Sequence, residues 1–418
     1  MDDRTRIARL HRRFGFGLHA QDMDAAFGRG LATEADRLLH PDAHGLPAAT
    51  DPFAGLDLAP VAAGVRKAGA LAGNAWLSRM VASERSLQER MAWFWHGLLV
   101  SNLAKVKAAD AMANQIRLFW SKGMGDLPSL IRAITVDPAM LVYLDGKDST
   151  GTTPNENYSR ELLELFALGV GHYTEADVQA GAKALTGWKV NVRTGGSAAF
   201  VGRAHDDARQ AYLGSTGVHD VDTVIEAVVA QPSCAPYIAG KFGRAVLGPK
   251  LSADAVAHLS DAFMTSGLKI SSLVSAAVDL HLADVDGGPI VIGPVPWLVM
   301  AERATGARLN SGVRLTGLRA AGQVPFLPPN VAGWPGGQAW YGSATMVGRL
   351  NLALAVAAAT PPGSAALVAA KSGDWAQLSR SLGLGSTFGT ATLAGFADVT
   401  DAFSRLALAL VSPEFVEV

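Results

Sequence analysis

Cysteine is almost absent from this chain: Cys234 stands alone among 418 residues. One thiol excludes an intrachain disulfide and any metal site built on several cysteines. Charge is scarce as well. Charged residues make up 17% of the chain, below the usual quarter, and the formal net charge is −1. That balance argues against a nucleic-acid partner, which calls for a basic excess over one face. Long apolar runs are missing, each being cut by proline or glycine short of the ~20 residues that span a bilayer. The opening residues, MDDRTRIARLHRRFGFG, hold no apolar core of about 7–15 residues, so they do not read as a secretory signal. The expectation is a soluble, cytoplasmic protein with no membrane span. Motifs of settled chemistry are missing too: no GxGxxG after a strand, no Walker loop, no GxSxG elbow, no HExxH and no EF-hand loop.

What the chain has is apolar bulk and helical punctuation. Apolar residues make up 49%, enough for a large core in one domain or two lobes. The most informative stretch is PNENYSRELLELFALGVGHYTEADVQAGAKALTGW, Pro154–Trp188. Pro154 and Asn155 open a first helix that Gly169 and Gly171 close. Thr174 caps a second, with Asp177 at capping-box spacing. On a helical wheel Tyr158, Leu162, Leu165 and Phe166 share one side; Asn157, Arg160, Glu161 and Glu164 share the other.

Around that stretch the pattern is helical almost throughout. A helix-rich segment over 74–106, with Ser83 as an internal cap, carries an apolar stripe of Leu87, Met91, Phe94 and Leu98. Arg85, Glu89, Trp93 and His96 line up opposite. With Trp93, Phe94 and Trp95 in succession that helix is apolar nearly all round, and therefore central. Residues 51–72 read as a loop with a weak helix. WKVNVRTGGSAAF, around Gly195–Gly196, gives the one convincing β-hairpin. Gly322–Gly342, rich in proline, glycine and bulky aromatics, reads as an ordered loop packed by its own side chains. The predicted fold is all-α, a large multi-helix domain with one small β-hairpin insertion. Residues 1–190 form an N-terminal helical lobe, 191–218 the hairpin and its turn, and 219–418 a C-terminal helical lobe carrying the Pro/Gly/Trp loop.

Four constellations are candidates for chemistry. Glu161 and Glu164 with Asn157 present two carboxylates and a carboxamide, able to bind a divalent cation or to divide acid and base roles. The structural alternative is a wet helix face with an ordinary Arg160–Glu164 pair, with Asn155 and Glu156 serving the helix start. His96 needs a partner on a buried helix and is either reactive or a satisfied core histidine. His205-Asp206-Asp207 offers hard ligands or a histidine–carboxylate relay, or else a capped turn. Asn330 and Trp334, with Trp340 and Tyr341, form either a stacking wall for a ligand or a plug between helices. Tyr143, Asp145, His172 and Trp188 bracket the same region.

The NEN-RELLELF segment resembles the signature of a bacterial family known as "domain of unknown function 1800". RMAWFWH at Arg90–His96, DPAMLVYLD at Asp137–Asp145, His205–Gly214, PPNVAGWPGG at Pro328–Gly337 and SPEF at Ser412–Phe415 match it as well. The resemblance spans nearly the whole chain and implies a fold and a map of residues, with no settled reaction. It also implies export for many relatives, and a gene neighbour in "domain of unknown function 1501", a family similar to phosphatases and sulfatases. This chain departs from the pattern twice. Relatives carry histidine, asparagine, histidine, phenylalanine where this chain has His96-Gly97-Leu98-Leu99, and a lysine where it has Gln210.

Three functions follow as expectations. One is an enzyme in which His96, Glu161, Glu164, His205 and Asp206 meet in one cleft. There they would hydrolyse or rearrange a polar or sugar-containing small molecule, with a divalent metal as the candidate cofactor. Asn155, Asn157, Tyr143, Trp188, Asn330 and Trp334 would bind that substrate. The second is a non-catalytic partner subunit of a 1501-family protein. The third is a small-molecule-binding or biosynthetic protein, which a deep apolar pocket would favour.

Overall fold

The computed structural model describes residues 2–59, 64–191 and 196–418. Among these, 23 α-helices alternate with short connections, and the only sheets are two small antiparallel hairpins. The all-α expectation holds, and the single hairpin is corrected to two. Strand β1 (Trp188–Asn191) pairs with β2 (Ser197–Phe200), Trp188 opposite Phe200. The expected turn residue Gly195 lies outside the described residues; its neighbour Gly196 has φ +67°. Strand β3 (Gln210–Tyr212) pairs with β4 (Ser215–Val218). Leu213 and Gly214, both at positive φ, make the two-residue turn between them.

Helix starts are set by local side chains. Asp126 and Asp137 accept the backbone N–H of Ser129 and Met140, each with proline in the first turn of the helix that follows. Thr174 and Asp177 close the expected capping box. The chain breaks at Ser83 as read, between helices Val65–Ala82 and Ser86–Leu98. The first of these starts well before the expected Asn74, because Gly69 and Gly73 give its N-terminal half a loop-like composition. A Cβ on Gly69 would stand 2.2 Å from Leu103 Cδ2, so the glycine lets Leu103 pack onto the helix backbone. No helix among the described residues is long and apolar enough to cross a membrane.

One hydrophobic cluster runs from Ile7 to Val418 and draws on all three segments named above. Its ends are tied together. Arg12 donates to the carbonyls of Glu414 and Phe415, and Arg13 to those of Leu247, Gly288 and Val418. Ile290 and Val418 exchange backbone hydrogen bonds of 2.9 and 3.0 Å. Arg303, buried in the Pro294–Thr305 helix, donates to the carbonyls of Gly17, Met80, Val81 and Ser83. A buried guanidinium satisfied by carbonyls fixes backbone positions with little freedom of geometry.

Candidate functional site

The NEN segment starts its helix by an Asx turn: Asn155 Oδ1 accepts the Asn157 N–H at 2.9 Å. Helix Asn157–Glu161 then widens into a π-helix over Leu162–Ala167. The N–H groups of Leu168 and Gly169 both reach Leu163 O, which ends it. Such π segments are rare and concentrate at functional positions. Tyr158, Leu162, Leu163 and Phe166 are buried, while Glu161 and Glu164 are half-buried. The Arg160–Glu164 pair does not form. Arg160 instead bridges Glu156 at 3.0 Å and Glu175 at 2.6 Å, and Glu164 accepts from Tyr173 Oη at 2.7 Å. Among the described residues Glu161 has no ion-pair partner. Burial pushes its carboxyl above the usual range, the Glu164 charge adds to the rise, and Arg160 opposes it.

Asn157 belongs to a second group of side chains. Its amide donates to Asp145 Oδ2 at 3.0 Å, and Lys105 Nζ donates to the same oxygen at 2.8 Å. Asp145 sits at φ +60°, a left-handed position that aspartate tolerates, just past the Pro138–Tyr143 helix. The Lys105 ammonium lies 5.8 Å from the centre of the Tyr143 ring. Burial, then the charge of Glu161, raises the Tyr143 hydroxyl. Tyr143, Asp145 and Glu161, half-buried, thus form one polar neighbourhood with the exposed Asn157 and Lys105.

His96 stands elsewhere. It is fully buried among the rings of Trp76, Trp93, Phe326 and Trp334, at centroid distances of 5.3 to 5.9 Å. Its Nε2 accepts the Phe326 N–H at 3.1 Å, which joins the aromatic helix to the Pro/Gly loop. Burial pushes the imidazole down to about 3, so it is neutral at ordinary pH. His205 Nδ1 meets Thr186 O at 3.0 Å, and Asp206 accepts the Ala208 N–H as its own N–H reaches Thr186 Oγ1. Both residues hold a turn beside the first hairpin, where Trp188 packs on Phe200. Asn330 is exposed and caps the Ala332 N–H. Trp334 stacks on Trp93 at 5.0 Å and 17°. Among the described residues no three His, Cys, Asp or Glu side chains are placed to hold a metal ion.

A different feature dominates the concave surface. A cleft of about 1070 Å³ opens beside the Val65–Ala82 helix. Its floor is aliphatic: Leu103, Val106, Val142, Leu315, Val324, Pro325 and Leu327. Gly73 of the helix also lines it, and an added Cβ there would touch Pro325 at 3.8 Å and Leu315 at 3.9 Å. The polar side chains that line it are Arg66, Lys107, Lys147 and Arg319, with no acid, amide or hydroxyl among the described lining residues. Lys147 pairs with Asp148. Arg66, Lys107 and Arg319 are exposed, and their side chains have no hydrogen bond or ion pair among the described residues. Ala104 and Val142 of the cleft are the sequence neighbours of Lys105 and Tyr143, so the polar neighbourhood adjoins one wall. Glu161, Glu164, His96 and His205 are not among the lining residues. Reasoning from sequence missed this site. The one signal for it was Gly69-x-x-x-Gly73 inside a helical pattern.

The family described as "Protein of unknown function (DUF1800)" matches residues 9–417 of the chain. No curated protein and no solved structure matches it.

Proposed function

The chain belongs to the DUF1800 family, and within that family of unassigned activity we propose that it binds a small molecule whose apolar body fills the cleft beside the Val65–Ala82 helix. The observation that carries this is the cleft itself, about 1070 Å³ with an aliphatic floor. Ligand pockets are concave, mostly apolar and about 300–1,000 Å³, with few polar groups to fix orientation. Two other clefts, at His172–Tyr237 and at His40–His258, are smaller at about 530 and 620 Å³, and neither has such a floor. Titration with a neutral fluorescent dye such as Nile red tests the reading. One saturable site is expected in the wild type and none in Gly73→Leu, whose side chain projects between Pro325 and Leu315. Equal binding by the two proteins refutes it.

A second reading keeps carboxylate chemistry. Glu161 has no ion-pair partner among the described residues, is raised by burial and by Glu164, and acts on Tyr143 beside the cleft wall. A carboxyl held up in this way suits a general acid acting on a polar group of the ligand.

A further inference from the structure

The lining chemistry narrows the ligand further, on the premise that the cleft binds a small molecule at all. Among the described residues its walls contain aliphatic side chains, glycine and proline, and no aromatic ring. Flat ligands are held by stacking, and the rings expected to supply it are engaged elsewhere: Trp334 lies against Trp93, Trp340 is buried in the core and Tyr341 donates to Glu417. Sugars and other neutral polar ligands need amide or hydroxyl partners, and the described lining residues offer none. What remains is four cations of one sign around an aliphatic floor. Exposed cations normally alternate with acids, yet Arg66, Lys107 and Arg319 all line this one cleft and have no ion pair among the described residues.

We propose that the cleft takes a single-chain alkyl anion, its hydrocarbon chain lying over Gly73 among Leu103, Val106, Leu315 and Leu327 and its anionic oxygen head at Arg66, Lys107 and Arg319. A carboxylate and a phosphate head share this chemistry. The glycine notch has a defined part in it. Leu103 seats against Gly69, and Gly73 lets Pro325 and Leu315 pack close to the helix, so a methylene chain runs along the aliphatic seam these residues make with it. Affinity then grows with chain length, by about fourfold for each buried methylene until the floor is covered. The head adds selectivity for charge, and screening by salt weakens it because the cations are exposed.

The test is calorimetric titration of the full-length protein with dodecanoate, dodecyl phosphate, dodecanol and dodecyltrimethylammonium, at low and high salt. Dodecanoate or dodecyl phosphate is expected to bind at one site, and which of the two binds tighter identifies the head. Dodecanol is expected to bind about tenfold more weakly, the worth of a few exposed charge contacts, and the cation not measurably. The doubly reversed variant Lys107→Glu/Arg319→Glu should bring the anions down to dodecanol and leave dodecanol itself unchanged. If dodecanol equals the anions in the wild type, the rim does not select charge and this proposal falls, while small-molecule binding stands. If none of the four binds saturably, or if Gly73→Leu binds them as the wild type does, the cleft is not a ligand site and both fall.

Discussion

The two helices that frame the cleft, Val65–Ala82 and Ser311–Ala320, are linked through Arg314, and removing the buried ion pair that Arg314 makes with Glu302 should be costly. Glu302, on the Pro294–Thr305 helix, is fully buried and accepts from both Nε (2.8 Å) and Nη2 of Arg314. Arg314, on the Ser311–Ala320 helix, also donates through Nη1 to Asn74 Oδ1 at 3.2 Å and Ser78 Oγ at 2.8 Å. Asn74 and Ser78 lie on the Val65–Ala82 helix. One guanidinium therefore fixes three helices and sets the distance between the Gly73 wall and the Leu315 wall. Arg314→Ala leaves the Glu302 carboxylate buried with only the Leu309 N–H at 3.4 Å. Uncompensated charges of this kind cost about 3–5 kcal/mol. For a chain of 418 residues that corresponds to a fall of roughly 3–6 °C in Tm. The double variant Glu302→Leu/Arg314→Met should recover much of the loss, because the penalty lies in the orphaned charge and not in the missing contact. Scanning calorimetry of the wild type, both single variants and the double variant supplies the cycle. A fall under about 2 °C for Arg314→Ala, or losses that simply add in the double variant, would refute the reasoning.

Two further outcomes follow from single residues. His96→Phe orphans the buried Phe326 N–H and should lower stability at pH 7.5 by about 1–3 kcal/mol. It should also flatten acid unfolding. With the folded imidazole held down at about 3, its contribution is complete above the unfolded value near 6.5 and is lost as pH falls from there toward 3. A wild-type acid slope between pH 6 and 4 in the variant, measured by urea titration, would contradict this. Glu161→Gln tests the carboxylate reading: if Glu161 is a general acid, turnover of a bound ligand should fall about 100-fold or more with binding and Tm unchanged. Intact turnover in a well-folded variant would remove Glu161 from any mechanism.

The legible parts of this fold are those decided within a few residues. The Thr174 box and the break at Ser83 are local hydrogen-bond devices, and each stands where its pattern predicts. Elements fixed by longer-range geometry were harder to see. The β3–β4 hairpin is short and depends on a Leu213-Gly214 turn at positive φ, with a non-glycine residue in the first position. The π segment follows from where Leu163 O is satisfied, and a wheel of period 3.6 cannot express it. The polar line on the aromatic helix was visible, and so was its need for partners. Those partners, Arg79 and Trp120 for Glu89 and Phe326 for His96, come from other elements.

The same distinction explains why the acids stand out in the sequence while the cleft is rimmed by cations. Glu161 and Glu164 announce themselves because one helix turn holds them both. Arg66, Lys107, Lys147 and Arg319 are scattered through the chain, and each taken alone reads as a solvated surface charge. They converge only because Arg314 locks the Ser311–Ala320 helix to the Val65–Ala82 helix, and because Leu103 N–H and Asn102 Nδ2 hold the Pro/Gly loop through the carbonyls of Phe326 and Pro328. That loop does plug a gap between helices, with Trp334 and Phe326 turned into the aromatic box around His96. Its other face supplies Val324, Pro325 and Leu327 to the cleft. A rigid loop that packs on one side and lines a cavity on the other keeps that cavity from collapsing, since closing it would mean unseating His96 from the Phe326 N–H. The buried histidine thus acts on the cleft at one remove, by holding its wall open.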